Sequence, residues 1–143
     1  MNVFALICCM ILTFSKGDKK TYTHTITSQD FARFSAGEVH PVYSTFSLAR
    51  DAEWSGRLFV LEMKESDEEG IGTGITVEHI SPAVEGEEVI FTAEIVEING
   101  NEIVTSYEAK VEKRIIATGI QKQKIVKKEK LEKLFVSLRL NKK

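Results

Sequence analysis

Apolar and polar residues alternate along most of the second half of the chain. In residues 88–98, Val89, Phe91, Ala93 and Ile95 alternate with more polar neighbours, the period of a half-buried strand. Residues 102–112 repeat the pattern with Ile103, Thr105, Tyr107, Ala109 and Val111 on one face. Asn99-Gly100 stands between them, a strong short-range hairpin signal. Residues 71–80 and 114–126 complete four strand-like segments. Upstream, residues 20–27 are rich in threonine and aromatics and read as another strand. The period changes at residues 44–63, where Ala49, Ala52 and Gly56 follow helical spacing, and Leu48, Phe59 and Met63 fill out an interior face. Ser44 and Thr45 both qualify as its N-cap. A short helical turn is expected in residues 28–34, loops over 35–41 and 64–70, and a helix over 127–134 held by Leu131 and Leu134.

The order is strand, long helix, then four strands in a meander. One helix covers the face of such a sheet only if the sheet curls around it. The expected architecture is α+β: a hotdog fold, a curved antiparallel sheet of about five strands wrapped around one long helix. The small side chains at Ala49, Ala52 and Gly56 allow helix and sheet to approach closely. The sheet's edge strand invites pairing with a second copy, so a homodimer is expected, with a tetramer left open.

The 143 residues suit one domain, and 43% hydrophobic content builds a core without a disulfide or metal framework. The first fourteen residues are apolar, too few for a membrane span. No basic residue precedes them and no clean cleavage site follows. We divide the chain into an apolar N-terminal extension, 1–17, read as a packed or loose segment or as a start set too far upstream, and a domain, 18–143, and expect a cytoplasmic protein, with export through the apolar N-terminus as the alternative. A net charge of −2 provides no field favouring nucleic acid. The two cysteines, Cys8 and Cys9, are adjacent, which suits neither a disulfide nor metal-ligand spacing.

Three residues carry candidate chemistry. Glu53 lies mid-helix near the edge of the small-residue face; its ordinary role would be an ion pair with Arg50 or Arg57. His79 ends the first strand of the meander, and an imidazole becomes a catalytic base only when other groups orient it. Thr45 can cap the helix or present its hydroxyl where the helix dipole favours negative charge. His24 and His40 have no comparable companions nearby in sequence and read as structural. The glycines in residues 70–74 lack the spacing of a nucleotide-binding loop, and Gly72 could offer its amide to a carbonyl oxygen.

The segment from Val42 to Trp54, with Thr45 ahead of Glu53-Trp54, resembles the helix of the fluoroacetyl-CoA thioesterase-like family. The glycine-led strand from Gly72 to His79 and the loop from Ser81 to Gly86 are similar to that family's next two segments. The resemblance spans about Tyr22 to Phe135. It implies that Thr45, Glu53 and His79 occupy catalytic triad positions and Gly72 a substrate-side position. Gln123 stands where the fluoroacetyl-CoA enzyme has an arginine, which points away from a fluorinated acyl group.

On this reading the chain hydrolyses a short acyl-CoA. Glu53 is nucleophile or base, His79 a proton shuttle, and Thr45 a hydrogen-bond partner, with attack by Thr45 itself left open. No metal or cofactor is expected beyond coenzyme A within the substrate, whose phosphates could meet Lys122, Lys124 or Lys127. The alternative is a hotdog acyl-binding or scaffold protein without turnover. A hydratase ranks below both, because His40 lacks a nearby aspartate.

Overall fold

The computed structural model describes residues 10–142. Expectations for residues 1–9, including Cys8-Cys9, lie outside them. Strand β1 (Lys19–Thr25) is followed by a single 3-10 turn (Ser28–Asp30) capped by Thr27, then by β2 (Phe31–Phe34) and β3 (Gly37–Tyr43). The long helix α1 (Thr45–Met63) comes next. Strands β4 (Glu68–Ile75), β5 (Glu78–His79), β6 (Glu88–Asn99), β7 (Glu102–Val111) and β8 (Arg114–Lys127) follow, and helix α2 (Lys128–Leu140) closes the chain.

The main sheet runs β1-β6-β7-β8-β4, every pairing antiparallel, and β5 lies beside β8 beyond the end of β4. The sheet curls around α1, so the hotdog architecture holds. The Asn99-Gly100 hairpin also holds: Asn99 pairs with Glu102, and Gly100 takes φ +61°, where a side chain would be strained.

The buried stripe of α1 is Ser47, Leu48, Asp51, Ala52, Ser55, Gly56, Phe59, Val60 and Met63. Small residues dominate its middle, as expected, although Ala49 is only half-buried. Their size matters at Gly56: a Cβ there would sit 2.0 Å from the Gln121 side-chain oxygen. The sheet therefore comes up to the helix backbone. One apolar cluster lies toward the helix N-terminus around Tyr43, Leu48, Ala52, Phe91 and Tyr107; a second lies toward its C-terminus around Phe59, Met63, Ile95 and Ile125. Met10 and Phe14 extend the second, and the Ile11 amide donates to the Met63 carbonyl, so residues 10–14 pack on the domain.

Three elements differ from expectation. The helical turn expected over residues 28–34 ends at Asp30, and residues 31–34 form β2, drawn into extended backbone by pairing with β3. Residues 35–41 are not a loop; most of them form β3, which pairs with β2 as a separate ribbon. Gly37 at φ +113° makes the turn, and Pro41 is tolerated because the ribbon has only two strands. Helix α2 exists and runs to Leu140, but Leu134 is exposed and no α2 residue is buried. It follows β8 directly and meets no layer on which to pack among the described residues. No described helix is long and apolar enough to cross a membrane.

Candidate active site

The local sequence leaves Ser44 and Thr45 competing for the helix cap. Ser44 takes that role: its backbone is extended and its hydroxyl accepts the Ser47 amide at 3.1 Å. Thr45 thus enters the first turn with its hydroxyl free, and Oγ1 lies 3.1 Å from His79 Nδ1. This contact joins groups 34 residues apart through two anchors. The Tyr43 amide donates to the Ala83 carbonyl and Val42 bridges Val84, tying the entry to α1 onto the segment after His79. On the other side, His79 pairs with Ala117 of β8, and the Ile80 amide donates to the Ile116 carbonyl.

His79 is half-buried. Its Nε2 is enclosed and has no hydrogen-bond partner among the described residues. Burial pushes the imidazole below the usual histidine range, opposed by a backbone hydrogen bond at Ser81. A neutral ring with one nitrogen on a hydroxyl and the other unclaimed can accept or deliver a proton. The α1 N-terminus beside it supplies amides and a favourable field for developing negative charge. Exposed apolar side chains adjoin both groups in sequence: Phe46 follows Thr45 and packs edge-to-face with Phe34 at 5.7 Å, and Ile80 follows His79.

Glu53 lies two turns further along α1, exposed on its outer flank. Neither arginine expected to pair with it does so. Arg57 is engaged by Glu69 and the Gly70 carbonyl; Arg50 is engaged by Asp30 and Asp51. The Glu53 carboxylate instead lies over Gly72 of β4, where a Cβ would sit 2.2 Å from Oε1. Gln123, paired with Gly72 in the sheet and fully buried, donates from Nε2 to the Glu53 backbone carbonyl at 3.3 Å. The expected residues therefore fall into two groups, Thr45 with His79 and Glu53 with Gly72 and Gln123. Eight helical residues separate Thr45 from Glu53, about 12 Å along the axis. No hydrogen bond or ion pair among the described residues joins Glu53 to His79. Of the lysines considered for phosphate contacts, Lys127 is held by Glu65, Asp67 and Glu68.

One cluster was missed in the sequence. His24 has companions after all: its Nε2 lies 2.7 Å from Asp30, and Asp51 accepts from the buried Tyr43 hydroxyl at 2.6 Å and from Arg50. Burial and the bond to Asp51 push the Tyr43 hydroxyl far above its ordinary pKa, so it acts as a neutral donor. Burial raises Asp30, but the Thr27 amide, His24 and Arg50 outweigh it and hold its carboxyl below the usual range. His24, Asp30 and Asp51 present donor atoms within 4.8 Å of one another, close enough for a metal ion. Arg50 already occupies that electrostatic role, bonded to both carboxylates. The cluster pins α1 to β1 and the 3-10 turn. The available signal was helical period, because Asp51 shares the inward stripe of Leu48 and Ser55.

The family described as fluoroacetyl-CoA-specific thioesterase matches residues 26–129. Among solved structures, a hypothetical protein of Thermus thermophilus, described as a thioesterase superfamily member, superposes with TM-score 0.86 at 30% identity, covering 90% of this chain and 96% of that one. The fluoroacetyl-CoA thioesterase FlK superposes with TM-score 0.80 at 20% identity, over 91% of this chain and 98% of that one. A hot-dog-like protein from Thermanaerovibrio acidaminovorans gives TM-score 0.80 at 24% identity, over 91% and 96%. No curated protein matches the chain.

Proposed function

Because this chain belongs to the fluoroacetyl-CoA-specific thioesterase family, we propose that it hydrolyses a short acyl-CoA thioester to the free acid and coenzyme A, at a site completed by two copies of the chain. The observation that carries this reading is the Thr45–His79 contact at 3.1 Å, beside a helix N-terminus, with the second imidazole nitrogen buried and unclaimed.

Glu53 of one copy takes the proton of an attacking water, or attacks the carbonyl carbon itself and is then released by water. Negative charge develops on the thioester oxygen and is met by backbone amides at the α1 N-terminus or at Gly72. The C–S bond breaks, and His79, neutral at the outset, picks up the proton that the attacking water loses and passes it to the departing thiolate. Thr45 orients the imidazole through Nδ1. Gln123, turned inward onto the Glu53 carbonyl, offers no charge to a fluorinated group, so an ordinary short acyl chain is the proposed substrate. A cleft of about 370 Å³ beside Glu53, lined by Tyr22, Arg50, Asp51, Trp54 and Arg57, leaves room for part of the coenzyme.

The need for two copies follows from the separation of Glu53 and His79 in one chain. Strand β4 ends the sheet, and its residues 72–75 are exposed along that edge. An unpaired strand edge favours antiparallel addition of an identical strand about a two-fold axis. That pairing sets the helices of the two copies side by side, so that one Glu53 approaches the other copy's imidazole. The test mixes two inactive variants, Glu53→Gln and His79→Ala, under conditions that exchange subunits. A mixed dimer then holds one intact site, and statistical mixing restores about a quarter of wild-type activity. A mixture as inactive as its components overturns the shared site.

A pH profile provides a second check. Because burial lowers the His79 pKa, the acid limb of kcat/KM is expected below the usual histidine value of about 6.5. The same shift sets a sign for stability: as pH falls through the unfolded value, the unfolded chain binds the proton more readily, so this group's contribution to stability is lost toward acid. An acid limb at or above about 7 would contradict a buried, neutral His79.

A further inference from the structure

Strand β4 and strand β5 occupy one continuous line against β8. Ile75 pairs with Gln121, Glu78 with Thr118 and His79 with Ala117, all in the same register. The ladder is nevertheless interrupted at Thr76-Val77. The Thr76 amide still donates to the Ile120 carbonyl at 2.8 Å. The return bond is altered: the Ile120 amide donates to the Thr76 side-chain hydroxyl at 2.9 Å rather than to its carbonyl. The Thr76 carbonyl is turned out of the ladder and accepts a hydrogen bond at 2.6 Å from the Tyr107 hydroxyl, one strand further away.

That bond crosses β8 directly over Gly119, the register partner of Tyr107. A Cβ at Gly119 would sit 2.0 Å from the Thr76 oxygen and 2.6 Å from the Tyr107 hydroxyl. Glycine is thus required by space at this position. Tyr107 is 3% exposed, and burial pushes its hydroxyl up to about 12, so it remains a donor across the working pH range. Val77 packs on the same core cluster as Tyr107 and Ala117. His79 follows two residues after Val77, on a strand of two residues, and faces the helix from there.

We propose that Tyr107 is a positioning residue for His79: by holding the Thr76 carbonyl over Gly119, it sets the turn of the strand that delivers the imidazole to the Thr45 hydroxyl. If the hydroxyl is removed, the Thr76 carbonyl loses its side-chain donor in the turned position. It relaxes toward the Ile120 amide, the Thr76 hydroxyl is displaced, and the strand rotates between Thr76 and His79. Misplacement of a catalytic group by a fraction of an ångström lowers turnover far more than it lowers substrate binding. The catalytic consequence rests on the proposed role of His79; the structural coupling does not.

The experiment is Tyr107→Phe in the full chain, read in two ways. The ring is kept, so core packing is preserved. The first readout is the nitrogen-resolved NMR signal of the His79 imidazole, identified by its loss in His79→Asn. In Tyr107→Phe the Nδ1 resonance is expected to move toward that of an imidazole with no Thr45 contact, while the His24 and His40 signals stay in place. The second readout is turnover of a short acyl-CoA, with kcat expected to fall about ten- to a hundredfold and KM nearly unchanged. Thr76→Val removes the hydroxyl that replaces the carbonyl in the ladder. It is expected to move the same His79 signal, and it carries the test if Tyr107→Phe does not fold. An unchanged His79 signal in a folded variant overturns the proposal whatever the activity does. A shifted signal in a protein that hydrolyses no acyl-CoA, wild type included, supports the coupling and removes the thioesterase reading instead.

Discussion

Glu53→Gln is expected to lower kcat/KM for short acyl-CoA hydrolysis by about 10²- to 10⁴-fold, the range for removing a general base or nucleophile. The expectation is sharp because the substitution changes little else. The Glu53 side chain is exposed, and both candidate arginines are committed elsewhere, Arg57 to Glu69 and Arg50 to Asp30 and Asp51. A surface residue without partners contributes within about 0.5 kcal/mol to stability, so the variant should melt with wild type. The carboxylate is nevertheless in a defined place, over Gly72 and above a backbone carbonyl that Gln123 holds. Among the described residues of one chain, no hydrogen bond or ion pair engages that carboxylate. Parallel measurement of thiol release and of thermal unfolding separates the outcomes. Loss of rate at constant Tm supports a chemical role, a rate within about threefold of wild type removes Glu53 from the chemistry, and absence of thiol release by the wild type itself favours the acyl-binding alternative.

Asp51→Ala is expected to have the opposite profile, costing about 3 kcal/mol of stability. Asp51 is 3% exposed and accepts from the Tyr43 hydroxyl at 2.6 Å and from two Arg50 nitrogens at 2.9 Å. Removing it leaves the fully buried Tyr43 hydroxyl without its acceptor, a penalty of about 1–3 kcal/mol. Arg50 loses one of two carboxylates, but more than half of its side chain is exposed and it can turn toward water, which moderates the loss. For a chain of this length the total corresponds to a fall in Tm of about 10 °C. Thermal or urea unfolding measures it directly, and a fall under about 3 °C would show that solvent satisfies Tyr43. Because the same cluster pins α1 to β1, hydrolysis should persist at temperatures where the variant stays folded.

Much of this was legible along the chain. The two-residue period of Val89, Phe91, Ala93 and Ile95, and that of Ile103 to Val111, placed β6 and β7 within a residue or two. The small residues Ala52 and Gly56 announced close packing of the sheet on α1, which the Gln121 contact confirms. These are local signals: a strand's alternation and a helix's stripe are written in neighbouring residues. Residues 35–41 carried no such signal. Gly37 and Pro41 read as loop, and β3 exists only because β2 lies opposite to pair with it.

The chemistry divided along the same line. Residue type and spacing by themselves determined that this chain offers a hydroxyl, a carboxylate and an imidazole on one helix and one strand end, within a hotdog frame. Only the tertiary structure decided how those groups are shared out. It gave the helix cap to Ser44 and so released Thr45 to His79, drew Arg50 and Arg57 away from Glu53, and built the Tyr43–Asp51–His24–Asp30 cluster from four separate elements. A side chain with several acceptable partners nearby in sequence takes the one whose geometry and burial are best, and here the contacts chosen join groups 34 and 70 residues apart.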